Sequence, residues 1–529
     1  MRYLFLLLFS GIITTYSVEA QEKAPRAAAQ KLHMAEFFID QLYVDSVDEN
    51  ALVEAGIRGM LSNLDPHSTY STPEEVKALQ ESIKGEFVGI GIQYRMQNDT
   101  LYVIRALDGG PSKKAGIMDG DQIIAANGQP IVGSHITTKD ISDLLRGPRK
   151  SKVELTLFRD GQPHLLSIER NTIPINTIPA AYMLTPAVGY INLESFNTNS
   201  HVEFISALKA LKKKGLKDLI LDLRGNSGGL LNIAVDISNE FLKAKERIVY
   251  AQGKRVDLGS FYATGSGKFK DGRLIILQDE YSASASEILS GAIQDWDRGL
   301  ILGRRSFGKG LVQRPVDLLD GSMIRLTIAR YYTPSGRHIQ KPYAKGSDNQ
   351  LKYRMELLDR LDRGELVHPD SIMVVDSLSF RTLVKGRSVY GGGGIMPDIF
   401  IPVDSVLLSP VFRGLNQPDI LSPLFSFIHN QRTTILSSYD SARFIESYVV
   451  PEDLTVSIRK ALMKGYKDTT DSQVDILSVD KFINSWLKSL IARDLYGDLV
   501  YYQVRNKTDQ GVLKSLEVLN SDTYSAELN

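Results

Sequence analysis

The chain has 529 residues, 43% hydrophobic, 23% charged and 8% aromatic, a globular composition that excludes global disorder, a collagen-like repeat and a polytopic membrane protein. Lysine plus arginine and aspartate plus glutamate both number 62, so no field of one sign invites nucleic acid or acidic lipid. Cysteine is absent, which removes disulfides, thiolate zinc sites and a cysteine nucleophile. At about 150 residues per domain, the length corresponds to roughly three to four domains.

Arg2, the apolar stretches Tyr3–Phe9 and Ile12–Ile13, and Val18-Glu19-Ala20 before Gln21 read as a cleavable export signal over 1–20. The alternative is a retained membrane anchor, but the weakly polar run from Tyr3 to Val18 has 16 residues, short of the roughly 20 needed to span a bilayer. The expectation is a soluble, exported protein with a periplasmic address, membrane-associated only if the signal is retained.

Residues 21–84 read as helical, with Leu32, Phe37, Phe38, Leu42, Leu52, Ile57, Met60 and Leu61 at three- and four-residue spacing. Leu64-Asp65-Pro66-His67-Ser68 breaks that pattern, because proline disfavours helix in the residue before it. From Gly85 to about Thr172 the period is two. The spacing predicts strands over Val88–Tyr94, Leu101–Ala106, Gln122–Ala126 and Val153–Phe158, with Asp160-Gly161 as a hairpin turn. Lys139–Arg146 is a short helix with Thr137 and Thr138 as candidate caps.

From about Ile173 to Asp404 strands alternate with helices. Leu219–Leu223, Leu274–Leu277 and Leu300–Leu302 are compact apolar strands, Leu230–Leu242 and Ser286–Trp296 are helices, and Asp320-Gly321 joins a hairpin of Leu311–Leu318 and Met323–Tyr332. Residues 344–386 form a polar insertion. Beyond about 410 the pattern is helical again, most clearly over Val479–Tyr496. The predicted class is a multidomain α/β and α+β chain: a helical region 21–84, a small β-rich domain 85–172, an α/β core 173–409 with its insertion, and a helical region 410–529.

Three motifs compete for the chemistry. Gly225-Asn226-Ser227-Gly228-Gly229 fits the G-x-S-x-G nucleophile elbow and lies between a strand and a helix. An elbow needs an acid and a histidine downstream, and His338, His368 and His429 stand in no telling context. The plainer reading is a glycine turn that brings backbone N–H groups near a ligand. Gly303 to Lys309 fits G-x-x-x-x-G-K, but residue 310 is Gly, so the hydroxyl that would hold magnesium is missing. Ser282-Ala283-Ser284-Ala285-Ser286-Glu287 opens a helix; a serine there could attack a carbonyl while free N–H groups bind the oxyanion. Ser284-x-x-Glu287 is equally a capping box, and cap and nucleophile are compatible.

Taken in order, Leu221-Asp222-Leu223-Arg224 with Gly228-Gly229, then Ser284-Ala285-Ser286-Glu287, Phe307-Gly308-Lys309-Gly310 with Gln313, Tyr332-Thr333-Pro334-Ser335-Gly336-Arg337 and Gly394-Ile395-Met396-Pro397-Asp398 resemble the carboxy-terminal processing peptidases, or tail-specific proteases. The set spans about residues 50–400. The resemblance implies a serine endopeptidase with a Ser–Lys dyad: Ser284 as nucleophile, Lys309 as general base, Gln313 orienting the base, and the N–H groups of Gly229 and Ala285 as oxyanion hole. It implies no metal and no cofactor. Burial would favour neutral lysine and so make it a usable base. An ideal strand separates Lys309 from Gln313 by about 13 Å, so their contact requires either a bend, with Gly310 as the candidate place, or side chains that lean together.

Pro111-Ser112-Lys113-Lys114-Ala115-Gly116-Ile117, Gly120-Asp121-Gln122-Ile123-Ile124 and Asn127-Gly128 make 85–172 resemble a PDZ domain. In such a domain a peptide adds to a sheet edge and backbone N–H groups hold its terminal carboxylate. By position, Phe87, Val88, Gly89, Ile90, Gly91 and Ile92 would supply the carboxylate loop and its strand, with Lys139–Arg146 closing the groove. The partners expected are proteins with exposed C-terminal tails, with an adaptor or self-association through the helical C-terminal region, and no nucleic acid. The glycine turn departs from the family's usual Arg-Asn-Asn-Pro-Gly-Gly by reading Arg-Gly-Asn-Ser-Gly-Gly. Two other readings stand beside this one: an exported PDZ scaffold with an inactive core, and a hydrolase using Ser227.

Overall fold

A computed structural model describes residues 27–529 apart from 98–99, 108, 133–135, 160, 374–375, 405–407, 409–414, 416 and 465–475. The expected signal at 1–20, Asp160 of the expected hairpin turn and the expected boundary near 410 lie outside the described residues.

The chain begins with α1 (Ala27–Leu42), α2 (Glu49–Ser62), a short strand β1 (Thr69–Ser71) and α3 (Pro73–Lys84). Asp48 caps α2, and Thr72 with Glu75 forms a reciprocal capping box on α3. The expected helical spacing is realised, yet α1 buries no side chain: Leu32, Phe37, Phe38 and Leu42 remain exposed. Periodicity determines that a helix forms, whereas what covers its apolar face depends on the rest of the fold.

The β-rich domain contains β2 (Glu86–Gly89), β3 (Ile92–Gln97), β4 (Thr100–Ala106), α4 (Pro111–Lys114), β5 (Gln122–Ala126), β6 (Gln129–Pro130), α5 (Thr138–Leu145), β7 (Lys152–Arg159), β8 (Gln162–Glu169) and β9 (Asn171–Pro174). An antiparallel sheet runs β3-β4-β5-β7-β8 with β6 beside β5, leaving β3 at an edge. Thr137 and Asp140 form the capping box that starts α5. The strand expected over Val88–Tyr94 is broken in two. Gly91 takes φ +76, and a side chain there would run into Ile173 and Pro111, so the chain turns between β2 and β3. β2 then pairs with β9 in a separate ribbon.

The core comprises β10 (Ala180–Met183), β11 (Val188–Asn192), α6 (Ser200–Lys213), β12 (Asp218–Asp222), α7 (Leu231–Asn239), β13 (Arg247–Gln252), β14 (Asp257–Tyr262), β15 (Leu274–Gln278), α8 (Ala285–Asp295), β16 (Leu300–Gly303), β17 (Leu311–Asp317) and β18 (Met323–Tyr332). The insertion and the segment after it add α9 (Ser347–Asp362), β19 (Ser379–Arg381), β20 (Ser388–Tyr390) and β21 (Ile399–Phe400). A mostly parallel sheet runs β10-β11-β12-β15-β16-β21. Strands β11, β12, β15 and β16 are buried throughout, as expected where both faces of a parallel sheet are covered. One face packs with α6, α7 and α8 through Phe204, Leu208, Ile237, Leu289 and Ile293. A second, antiparallel sheet holds β1, β18, β13 and β14, with β17 on β18.

The C-terminal region consists of α10 (Pro418–Ser438), α11 (Ser441–Ser447), α12 (Glu452–Lys464), α13 (Ile476–Tyr496), α14 (Asp498–Arg505), α15 (Gln510–Leu519) and α16 (Thr523–Leu528). Leu424, Ile428, Ile458, Ile483, Leu487 and Ile491 form a core among α10, α12 and α13. The last helices return to the parallel sheet, where Tyr502, Val512, Leu519 and Tyr524 cover Tyr190, Ile220, Ile275 and Leu300. The bundle also grips the β-rich domain: Asp494 of α13 lies between Arg95 of β3 and Arg432 of α10, and Arg432 reaches Asp119. No described helix is long and apolar enough to cross a membrane.

Candidate active site

Two turns at the C-terminal ends of β12 and β15 are joined by hydrogen bonds. Ser282 Oγ donates to the Leu223 carbonyl at 2.8 Å, Ala283 N to Asn226 O at 3.0 Å and Ser286 Oγ to Asn226 O at 2.9 Å. Gly225 N donates to Asp279 Oδ1 at 2.9 Å. Asn226 is fully buried, and its Nδ2 donates to Leu193 O at 2.8 Å while its Oδ1 accepts from Gly228 N at 2.8 Å. This packing sets Gly228 against the helix start: a Cβ there would lie 2.9 Å from both Ala285 N and Ser284 Cβ. Gly229, at φ +149, runs so close to Phe196 that a Cβ would meet its carbonyl oxygen at 2.2 Å. The structure therefore sets Gly228 against Ser284 and Ala285, with Gly229 next in the same turn and packed on Phe196, and only glycine fits either turn position.

Ser284 is partly exposed at the N-terminus of α8 with φ +54 and ψ −107. A positive φ is a strained conformation for a residue with a side chain and is typical of functional sites. Its N–H donates to Glu287 Oε2 at 2.8 Å, one arm of the expected capping box. Glu287 does much more. It is fully buried, its Oε2 also accepts from Lys309 N at 2.9 Å, and its Oε1 accepts from Ser306 Oγ at 2.6 Å and Gly308 N at 2.7 Å. One carboxylate thus ties the Ser284 segment to the Lys309 segment. Burial pushes its pKa above the usual carboxylate value, while the four donors pull the other way. Tyr331 adds a second tie, its hydroxyl donating to Ser284 O at 3.2 Å and to Lys309 O.

Lys309 lies just before β17. Its Nζ donates to Gln313 Oε1 at 3.0 Å, so the contact that an ideal strand would forbid is made. Two features supply the bend: Gly310 N is drawn to Gln340 Oε1 at 2.9 Å before the strand begins, and the pairing of β17 with β18 shifts register between Val312 and Gln313. Burial, followed by repulsion from Arg325, lowers the Lys309 pKa, opposed by Glu287 and Asp65. Among the described residues no hydrogen bond joins Lys309 Nζ to Ser284 Oγ; the ammonium is turned to Gln313. The insertion braces this segment. Lys341 Nζ sits 4.0 Å from the Phe307 ring centre and 4.2 Å from that of Tyr353, and pairs with Glu356 at 3.2 Å. Arg360 is buried and donates to the Arg305 carbonyl at 2.7 Å.

Ser227 is exposed, and none of His338, His368 and His429 is bonded to it. His338 Nε2 is 3.2 Å from Gly310 O, and the His429 ring packs edge-on against Tyr102. The segment Gly303–Lys309 leads into β17 rather than a helix. Of the six residues expected to supply a carboxylate loop and its strand, Phe87, Val88 and Gly89 lie in β2, paired with β9, and Arg146 lies over the Phe87 ring at 4.6 Å. Ile90 is buried, Gly91 turns, and Ile92 opens the edge strand β3. The chain therefore turns at Gly89–Gly91, and the free sheet edge runs over Ile92–Gln97. Among the described residues no group of His, Asp and Glu is arranged to hold a metal.

Sequence reasoning missed Glu287 as a connector; α8 is buried on every side, and a glutamate in a helix of small and apolar residues is the signal that could have found it. It also missed Asp222 and Arg224 as a brace: Arg224 bonds Asp222 and, across the chain, both carboxylate oxygens of Asp509 at 2.9 and 3.0 Å.

Residues 187–346 match the peptidase family S41, residues 102–159 a PDZ domain, and residues 12–74 the N-terminal domain of the activating protease CtpB. The chain is 38% identical over 304 residues to a carboxy-terminal-processing protease of Bartonella bacilliformis, covering 56% of this chain and 69% of that one. It is 33% identical over 365 residues to the carboxy-terminal processing protease CtpA of Bacillus subtilis, covering 66% and 77%. Among solved structures, a photosystem II D1 C-terminal processing protease is 31% identical with a TM-score of 0.35, covering 58% of this chain and 83% of that one. With the S41 core, the PDZ domain and the two bacterial relatives, the chain belongs to the carboxy-terminal processing proteases, serine-type peptidases of family S41.

Proposed function

We propose that the protein is an exported endopeptidase that takes hold of protein C-terminal tails through its PDZ domain and cleaves upstream with a Ser284–Lys309 dyad. The observation that carries the reading is the shared carboxylate of Glu287, which holds the backbones of Ser284 and Lys309 side by side while the half-buried Lys309 is hydrogen-bonded to Gln313. Neutral Lys309 takes the Ser284 hydroxyl proton as Oγ bonds to the scissile carbonyl carbon. The N–H groups of Gly229 and Ala285 receive the oxyanion. The C–N bond then breaks, the lysine ammonium returns its proton to the departing amine, and water hydrolyses the acyl-enzyme with Lys309 again as base. The tail would add to the β3 edge with its carboxylate at the Gly89–Gly91 turn. Export rests on the segment 1–20, and N-terminal sequencing of the mature protein checks it.

The test compares wild type with Ser284→Ala, Lys309→Ala and Ser227→Ala on an unfolded protein ending in an apolar tail. Loss in the first two variants and activity in the third is the expected result; loss only in Ser227→Ala would overturn the dyad. Because the Lys309 pKa is lowered, kcat/KM should rise with pH along a limb centred below the ordinary lysine value.

A further inference from the structure

The segment Asp65-Pro66-His67-Ser68, between α2 and β1, interrupts the N-terminal helices and has no part in the dyad chemistry itself. Its backbone reaches the catalytic centre, where Gln313 Nε2 donates to the carbonyl oxygen of His67. The opposite end of the same amide, Oε1, accepts from Lys309 Nζ. We propose that this turn is a positioning element of the active site, which fixes the orientation of the Gln313 amide and thereby leaves the lone pair of neutral Lys309 available to Ser284. The inference rests on the dyad reading.

Donor and acceptor chemistry supplies the reason. A backbone carbonyl can only accept, so it selects the NH₂ end of the Gln313 amide and directs the oxygen at Lys309. A neutral lysine has two N–H donors and one lone pair. With Oε1 facing it, the amide consumes a donor and spares the lone pair. Were the amide reversed, its NH₂ would donate into that lone pair and occupy the base.

The turn is held where this selection is made. Asp65 is buried, and its Oδ1 accepts from His67 N at 2.9 Å, Ser68 N at 3.0 Å and Thr327 Oγ1 at 2.9 Å. Ser68 Oγ donates to Asp65 Oδ2 at 2.6 Å and accepts from Thr327 N at 3.1 Å. Thr327 is the residue of β18 paired with Gln313 on β17. The turn is therefore registered against Gln313 through its own cross-strand neighbour, and β1 extends the registry by pairing Thr69 with Arg325. The His67 ring ties the other side, its Nε2 lying 2.8 Å from the Tyr353 hydroxyl of α9.

A double-mutant cycle on peptide cleavage separates positioning from mere structural support. Ser68→Ala should lower kcat about tenfold with KM within about twofold, because only alignment is lost. In a Gln313→Ala background the same change should cost less than about twofold, since the turn then has no amide left to orient. Ser68→Thr, which keeps the hydroxyl, should restore kcat. Equal losses in both backgrounds would overturn the proposal, as would a full kcat in Ser68→Ala. If Ser68→Ala does not fold, Thr327→Val, which removes one donor to Asp65, takes its place in the same cycle. Lys309→Ala and Ser284→Ala run alongside: activity in either refutes the dyad itself, whereas dead dyad variants with an additive cycle refute only the role of the turn.

Discussion

Replacing Glu287 by Gln tests how the proposed nucleophile and base are held together. The carboxylate accepts four hydrogen bonds, two on each oxygen. An amide has one oxygen, so two of the four accepted bonds are lost and the NH₂ end faces two groups that donate in the wild type. Two bonds to a charged group at about 1.5–3 kcal/mol each amount to about 3–6 kcal/mol. Removing a buried charge, whose cost is visible in the upward push on this carboxyl, returns part of that, leaving about 2–4 kcal/mol. In one orientation the amide gives up Ser306 and Gly308; in the other it gives up Ser284 and Lys309 and parts the dyad. The expected result is a kcat lower by about a hundredfold at nearly unchanged KM, with a melting temperature lower by about 5–10 °C. Steady-state cleavage of an unfolded, apolar-tailed protein and a thermal melt read both. Unchanged kcat together with an unchanged melt would refute the reasoning, and a lower melt with full kcat would reduce Glu287 to a structural residue.

Gly229→Ala should abolish cleavage, because its Cβ would meet the Phe196 carbonyl at 2.2 Å in a left-handed backbone region; activity within about tenfold of wild type would refute the tight fit. His67 is lowered to about 4 from 6.5, first by burial and then by Lys309. The folded chain thus resists a proton that the unfolded chain accepts, and stability is lost as pH falls from 6.5 through about 4, by about 3 kcal/mol. His67→Phe should flatten that part of a pH series of denaturant melts, and an unchanged slope would contradict the assignment. Asp494→Ala leaves Arg95 and Arg432 without their shared carboxylate and should cost about 3–5 kcal/mol, read as faster limited proteolysis between the PDZ domain and the bundle; proteolysis at the wild-type rate would show that the cluster holds nothing together.

Much of the architecture is local and could be read from residue order. Alternation over Thr100–Ala106 and Lys152–Arg159, the capping residues of α5, the apolar strands β12, β15 and β16, and the turn glycines each depend on neighbours a few positions away, where period and backbone preference act directly. The candidate residues Ser284, Lys309 and Gln313 were singled out through the ordered set of short motifs that resembles the family, since spacing alone left Ser284 readable as a helix cap. Hydrogen bonds between distant segments were not legible. Glu287 reads as a cap until Ser306, Gly308 and Lys309 fold onto it, and Asp65 to Ser68 reads as a helix break until β18 delivers Thr327 and β17 delivers Gln313. Nothing in the polar spacing of the insertion announces that Tyr353 and Glu356 brace Lys341, nor does helical periodicity after 410 reveal that α15 and α16, with Tyr502 of α14, cover the parallel sheet while Val500 and Val504 of α14 stay in the bundle core. Local sequence determined which elements form, because propensity and periodicity act over a few residues. Only the tertiary structure decided which buried donors meet which acceptors, because that pairing is imposed by packing between segments separated by tens to hundreds of residues.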